Sequence, residues 1–162
     1  MDRTMPTARQ RRNVPEEIRS QSGLARIDYV DLFGVAAPAA RKSSPERWAR
    51  AAIDTAAGAG GQFIWRGVLG LRLAARTSPD HVAGWTIAKR GNDWIRLEAA
   101  SWFLTAHLVV RIDEDEASMA TFIRYDRPPA SLAWPRLARF HRRAMPGLLI
   151  RAARHVARER AR

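Results

Sequence analysis

Residues 84–126 read GWTIAKRGNDWIRLEAASWFLTAHLVVRIDEDEASMATFIRYD, and their alternation decides the fold. Trp85, Ile87 and Lys89 alternate with Thr86, Ala88 and Arg90; Gly91-Asn92-Asp93 has turn chemistry; Ile95, Leu97 and Ala99 then alternate with Trp94, Arg96 and Glu98. A period of two on both sides of a Gly/Asn/Asp turn marks a β-hairpin. A three-residue loop pairs Arg90 with Trp94 and places Trp85, Ile87 and Lys89 on one face with Ala99, Leu97 and Ile95. A second hairpin runs from Phe103–Ile112 to Ala117–Asp126 across the acidic tip Asp113-Glu114-Asp115-Glu116. With Glu114 and Asp115 as its loop, Leu104, Ala106, Leu108, Val110 and Ile112 share a face with Tyr125, Ile123, Thr121, Met119 and Ala117. The other face pairs Thr105 with Arg124, His107 with Phe122 and Arg111 with Ser118. A slip of one residue would exchange the two faces, so the pattern fixes the register.

Downstream of Arg127-Pro128-Pro129 the sequence predicts a helix from about Trp134-Pro135 to about Arg160. Its apolar stripe is Leu137, Phe140, His141, Ala144, Leu148, Ala152 and Val156, at spacings of three and four. Pro146 inside this stretch predicts a kink or a break. Upstream, Pro15-Glu16-Glu17-Ile18 suits one short helical turn. A first strand is expected over Arg26–Val35, with Asp31 interrupting its apolar face. Ser44 as N-cap and Pro45 at the first helical position open a helix through Trp48, Ala52 and Thr55 to the glycines at 58, 60 and 61. The stretch Gln62–Leu73 reads as a second short helix followed by a bend.

At 162 residues the chain fits one domain, taken as residues 14–162, preceded by a disordered basic tail over residues 1–13. Cysteine is absent, which excludes disulfides, thiolate metal sites and cysteine nucleophiles. No apolar run reaches the length of a membrane span and MDRTMPTARQRRN has no apolar leader segment, so the expected compartment is cytoplasmic. The net charge of +12 sits at the ends: residues 1–13 carry +3, residues 135–162 carry +8, and the 121 residues between them hold 15 bases and 14 acids. Arginine so abundant beside alanine is also what a GC-rich genome yields without selection for binding.

The motifs Arg26-Ile-Asp-Tyr-Val-Asp-Leu-Phe33, Ser44-Pro-Glu-Arg-Trp48, Ser78-Pro-Asp-His-Val-Ala-Gly-Trp85 and Thr121-Phe-Ile-Arg-Tyr-Asp126, in the order strand, two short helices, antiparallel strands and terminal helix, resemble an uncharacterised actinobacterial branch of the START-like superfamily (helix-grip, SRPBCC or polyketide-cyclase-like). The resemblance covers residues 26–160. It implies an α+β fold in which a curved antiparallel sheet grips a long C-terminal helix, with a cavity between them that holds an apolar ligand in many relatives. Relatives range from lipid carriers to cyclases, so the fold alone does not give the function.

No chemical motif stands out. His81, His107, His141 and His155 lack metal-ligand spacing, the acidic tip lacks the alternation and glycine of a calcium loop, the glycines at 58, 60 and 61 lack a following Gly-Lys-Ser/Thr, and no serine stands in G-x-S-x-G. No metal or cofactor is expected, and the acidic tip reads as a solvated turn. Lys89, Thr121 and Tyr125 are the polar members of the predicted inward face, bonded to one another and the backbone or aimed at a ligand. His141 on the helix stripe is either a buried, satisfied histidine or a cavity residue. If the protein is an enzyme, Tyr125 and His141 are the acid–base candidates.

Small residues at Ala99, Ala106, Thr121 and Ala144 predict space between sheet and helix. The expected lining is Trp85, Ile87, Leu97, Ala106, Leu108, Met119, Thr121, Ile123, Tyr125, Phe140 and His141. Two function classes follow. One is a binder of an apolar small molecule or lipid, with cyclisation or dehydration as its enzymatic variant. The other is an interaction protein whose arginine-rich ends meet an acidic membrane surface or nucleic acid, nucleic acid being the less favoured.

Overall fold

Both hairpins form, and they occupy the middle of one sheet. The computed structural model describes residues 5–38, 40–56, 58–75 and 78–162, without the side chains of residues 55 and 59; Asp2, Arg3 and the Thr55 side chain therefore lie outside the described residues. Seven antiparallel strands, β1 (Ala8–Gln10), β2 (Tyr29–Ala36), β3 (His81–Val82), β4 (Trp85–Arg90), β5 (Trp94–Ala100), β6 (Leu104–Ile112) and β7 (Glu116–Tyr125), make a curved, unclosed sheet of order β1-β2-β7-β6-β5-β4-β3. The helices are α1 (Glu16–Gln21), α2 (Pro45–Ala56), α3 (Ala59–Gln62), which continues into a π-helical turn over Phe63–Val68, and α4 (Pro129–Arg160).

The β6–β7 register is the one the alternation predicts, from Leu104 opposite Tyr125 to Ile112 opposite Ala117. The β4–β5 hairpin differs in one respect. Gly91 N–H donates to Trp94 O, so the loop is the two residues Asn92-Asp93, and the residue gained is absorbed as a bulge at Ala88 between the pairs Ile87/Leu97 and Lys89/Arg96. The bulge turns Lys89 away from the core. It is exposed, and its ammonium lies 5.8 Å from the Trp94 ring centre.

Residues 8–10, expected in a disordered tail, form β1 on the free edge of β2. Arg11 N–H donates to Leu32 O, and the Arg11 guanidinium pairs with Glu116, so backbone pairing and charge hold this segment together. The acidic tip is likewise engaged rather than only solvated: Asp113 faces Arg111 at 3.7 Å and Glu114 faces Arg41 at 3.3 Å. Ser44 caps α2, its Oγ accepting from Arg47 N–H at 3.2 Å, and the bend after the π-helical turn falls at Gly70, φ 62°.

The terminal helix begins at Pro129, five or six residues before the predicted start, because Pro129 rather than Pro135 takes the early position that tolerates a missing N–H. It runs 32 residues through Pro135 and Pro146, so of the kink or break expected at Pro146 the break does not form. Its buried side is Ala130, Trp134, Ala138, Met145, Leu148, Leu149, Ala152, Ala153 and Val156. The first half of the predicted stripe is therefore displaced: Phe140 and Ala144 are exposed, and the C-terminal half, Leu148, Ala152 and Val156, is buried as expected.

Both faces of the sheet are covered. On the inner face α2 and α4 pack side by side over Phe33, Val35, Leu97, Leu108, Val110, Met119 and Ile123. On the outer face α1 sets Ile18 against Leu32, Val109, Ala120 and Phe122. His107 projects to that outer side, where its Nδ1–H donates to Ser22 O. Arg111 ties α1 to both hairpin turns through Glu17 at 2.9 Å and Asp93 at 3.1 Å.

Two outcomes follow from this packing. The β3–β4 turn needs positive φ at Ala83 (48°) and Gly84 (92°), and a Cβ on Gly84 would stand 2.7 Å from Ala74 O. Gly84→Ala should destabilise by more than about 1 kcal/mol in urea unfolding. Burial pushes the His107 imidazole below its ordinary value, so the unfolded chain binds its proton first as pH falls. The stability it contributes is complete above about pH 6.5, the unfolded value, and is lost as pH drops toward the lower folded value. His107→Gln should flatten that part of the stability profile, and an unchanged slope would show that another group is responsible.

Candidate functional site

Between the inner sheet face, α2–α3 and the first half of α4 lies a cavity of about 350 Å³. Its floor is Trp85 of β4, Ala106 and Leu108 of β6, and Met119, Thr121 and Ile123 of β7; its walls are Ile53, Trp65 and Leu69 on one side and Trp134, Leu137, His141, Met145 and Leu148 on the other. Of the small side chains expected to leave this space, Ala106, Thr121 and Ala144 border it, whereas Ala99 is buried in the core and does not. Ile64, Phe140, Ala144 and Arg151 are lining residues that are also exposed, so they form its mouth.

Of the predicted lining, Trp85, Ala106, Leu108, Met119, Thr121, Ile123, Phe140 and His141 border the cavity. Ile87 and Leu97 do not; both are buried in the core at the β4–β5 side of the sheet. Tyr125 does not either. It stands four residues beyond Thr121 on β7, about 13 Å along the strand, where burial first and the Asp28 carboxylate second raise its phenol above the ordinary value. Tyr125 and His141 are therefore not brought together as an acid–base pair.

His141 meets a different set of partners. β2 lies beside β7 with Tyr29 opposite Ile123 and Asp31 opposite Thr121, so the residue that interrupts the first strand's apolar face arrives under the helix. Asp31 Oδ2 lies 3.1 Å from His141 Nε2 and accepts the Tyr29 hydroxyl at 2.5 Å. Thr121 Oγ1 is 3.2 Å from the same His141 nitrogen, and Arg142 donates to the Tyr29 oxygen at 3.3 Å. The Asp31 side chain is 1% exposed against 21% for His141, so the carboxylate is enclosed and the imidazole reaches the cavity. Burial, then the negative Asp31, push the Tyr29 phenol well up, which keeps it a proton donor to that carboxylate.

Trp134 completes the group. Its ring meets Tyr29 edge-on at 5.3 Å and lies tilted against His141 at 5.6 Å, fixing both between β2 and α4. Across the cavity Trp65 meets Trp85 edge-on at 5.6 Å. The arrangement is thus an apolar chamber with one polar corner able to accept or hold a proton. Asp31, Tyr29 and Trp134 were not among the predicted site residues. The one signal for Asp31 was its place on an otherwise apolar alternation.

Among the described residues no group of three or more histidine, aspartate or glutamate side chains could hold a metal ion, and no helix is long and apolar enough to cross a membrane. Comparison with protein-family models, with curated proteins and with solved structures finds no match.

Proposed function

We propose that the chain binds an apolar small molecule or lipid in the cavity between its inner sheet face and α4. The observation that carries this reading is a chamber of about 350 Å³ whose lining is apolar apart from Thr121, His141 and Arg151. Protein interiors are close-packed and hold few voids larger than a water molecule. Here alanine, glycine and threonine stand where larger side chains would fill the space. The volume falls at the lower end of the range for small-molecule sites, roughly 300 to 1,000 Å³, and such sites pair apolar walls with a few convergent polar groups. The helix-grip resemblance implies the same use of the same space.

A second reading is favoured by the mouth. Phe140 is 66% exposed and Phe63, next to Ile64, is 68% exposed, while Arg151 lines the mouth itself. Exposed aromatic side chains beside a cation suit an anionic membrane surface, the place from which an apolar ligand would be drawn.

Phenylnaphthylamine, a neutral dye that brightens in apolar surroundings, should bind the unmodified protein. Ala106→Phe should abolish that binding while changing stability by less than about 1 kcal/mol, since overpacking a filled core costs about 1 to 3. No dye binding together with a large loss of stability would show ordinary core and overturn the reading. For the mouth, Arg151→Gln should weaken association with phosphatidylserine vesicles roughly five-fold, and added salt should weaken it further. Association indifferent to both would reject a membrane-facing mouth.

A further inference from the structure

The cavity's polar corner specifies what an occupant must carry, given the apolar-cavity reading on which this inference rests. The buried Asp31 carboxylate only accepts hydrogen bonds. It takes the Tyr29 hydroxyl on Oδ2 at 2.5 Å, and the same oxygen lies 3.1 Å from His141 Nε2. That nitrogen must therefore supply an N–H, which Thr121 Oγ1 shares at 3.2 Å. In the neutral ring, the form to which the inference applies, this is the single N–H, which leaves the lone pair on Nδ1. No described residue bonds Nδ1, and His141 lines the cavity. The charged groups around the corner are Asp31 itself, Arg142, which bonds Tyr29, and Arg151 on the cavity wall.

An occupant that meets this lone pair with a carbonyl, an ether or a hydrocarbon leaves it unmatched. An occupant with an O–H satisfies it. We propose that the ligand is an apolar molecule bearing a hydroxyl group, and that His141 Nδ1 accepts that hydroxyl's proton. An aliphatic alcohol donates a hydrogen bond and keeps its proton. A ground-state phenol does the same; only where the hydroxyl is a stronger acid than the imidazolium, as in an excited-state naphthol or an acidic enol, does the O–H bond break, its electron pair staying on the oxygen while an N–H bond forms at Nδ1. The imidazolium so formed keeps its Nε2–H on Asp31, whose negative charge offsets it. His141 is the residue that touches the ligand. Asp31 and Tyr29 are positioning residues that act through its tautomer.

The full-length protein can be tested with three probes of nearly one shape: beta-naphthol, its methyl ether and naphthalene. Beta-naphthol should bind the unmodified protein roughly three- to ten-fold more tightly than the ether, the worth of one hydrogen bond. Excited naphthol is a much stronger acid than the ground state, so the bound probe should emit as naphtholate. His141→Gln keeps an N–H for Asp31 but has no basic nitrogen, so naphthol bound to it should emit only in the neutral form, and naphtholate emission that persists in this variant would overturn the assignment of the base. Asp31→Asn can donate to Nε2 and move the ring proton to Nδ1, which should invert the preference toward the ether, an effect that simple loss of packing would not produce. If none of the three probes binds, the apolar-cavity reading fails and this inference with it. If all three bind the unmodified protein equally, or the ether binds best, the cavity stands and the hydroxyl assignment is overturned. Those comparisons on the unmodified protein need no variant to fold.

Discussion

Burying a carboxylate in an apolar sheet face costs several kcal/mol unless hydrogen-bond donors reach it, and Asp31 on the inner side of β2 is such a group. Its donors come from two directions. Tyr29 lies two residues away on the same strand, and His141 comes down from α4. The second contact sets the rotation of the helix over the sheet. With His141 turned inward, Leu137 and Ala144 border the cavity, and Trp134, seven residues earlier, is placed between His141 and Tyr29. One hydrogen-bonding constraint, the Asp31–His141 contact, thus orients the helix, closes the polar corner and leaves the small residues of β6 and β7 facing open space.

The charge of the chain is used differently at its two ends. Upstream of α4 several arginines pair with acids: Arg11 with Glu116, Arg50 and Arg90 with Glu46, Arg96 with Glu98, and Arg111 with three carboxylates. Single exposed pairs of this kind contribute little, typically below about 1 kcal/mol. The Arg111 cluster differs because one mostly buried guanidinium, facing exposed carboxylates, joins α1 to both hairpin turns. On α4 Glu159 is the lone acid against eight arginines, so the positive field is concentrated on the helix that also carries the cavity mouth. That distribution connects the composition to the proposed approach of an anionic surface.

Much of this was legible in the sequence where the determinants are local. Period-two alternation gave the β6–β7 register pair by pair, and small residues at 106, 121 and 144 pointed to the cavity. The misplaced elements have specific physical reasons. Gly91-Asn92-Asp93 can close a loop of two or three residues, and the choice of two moved Lys89 outward through the bulge at Ala88. Pro129 and Pro135 both suit a helix start, and the earlier one prevails in a helix that buries Trp134 and Ala130. Asp31 was visible as an interruption, but its partner was not. Its meeting with His141 depends on β2 lying beside β7, a strand order set by packing of distant segments and invisible to periodicity.

The proposed hydroxyl site requires that Asp31 hold His141 as the Nε2–H tautomer, with Nδ1 free at the cavity. Nitrogen-15 NMR of the histidine ring, through its long-range couplings to the ring protons, reads this directly. A protonated, pyrrole-like resonance is expected at Nε2 and an unprotonated, pyridine-like one at Nδ1, and Asp31→Asn should shift both. A ring protonated at Nδ1 alone, or an Nε2–H population no different in Asp31→Asn, would contradict this assignment.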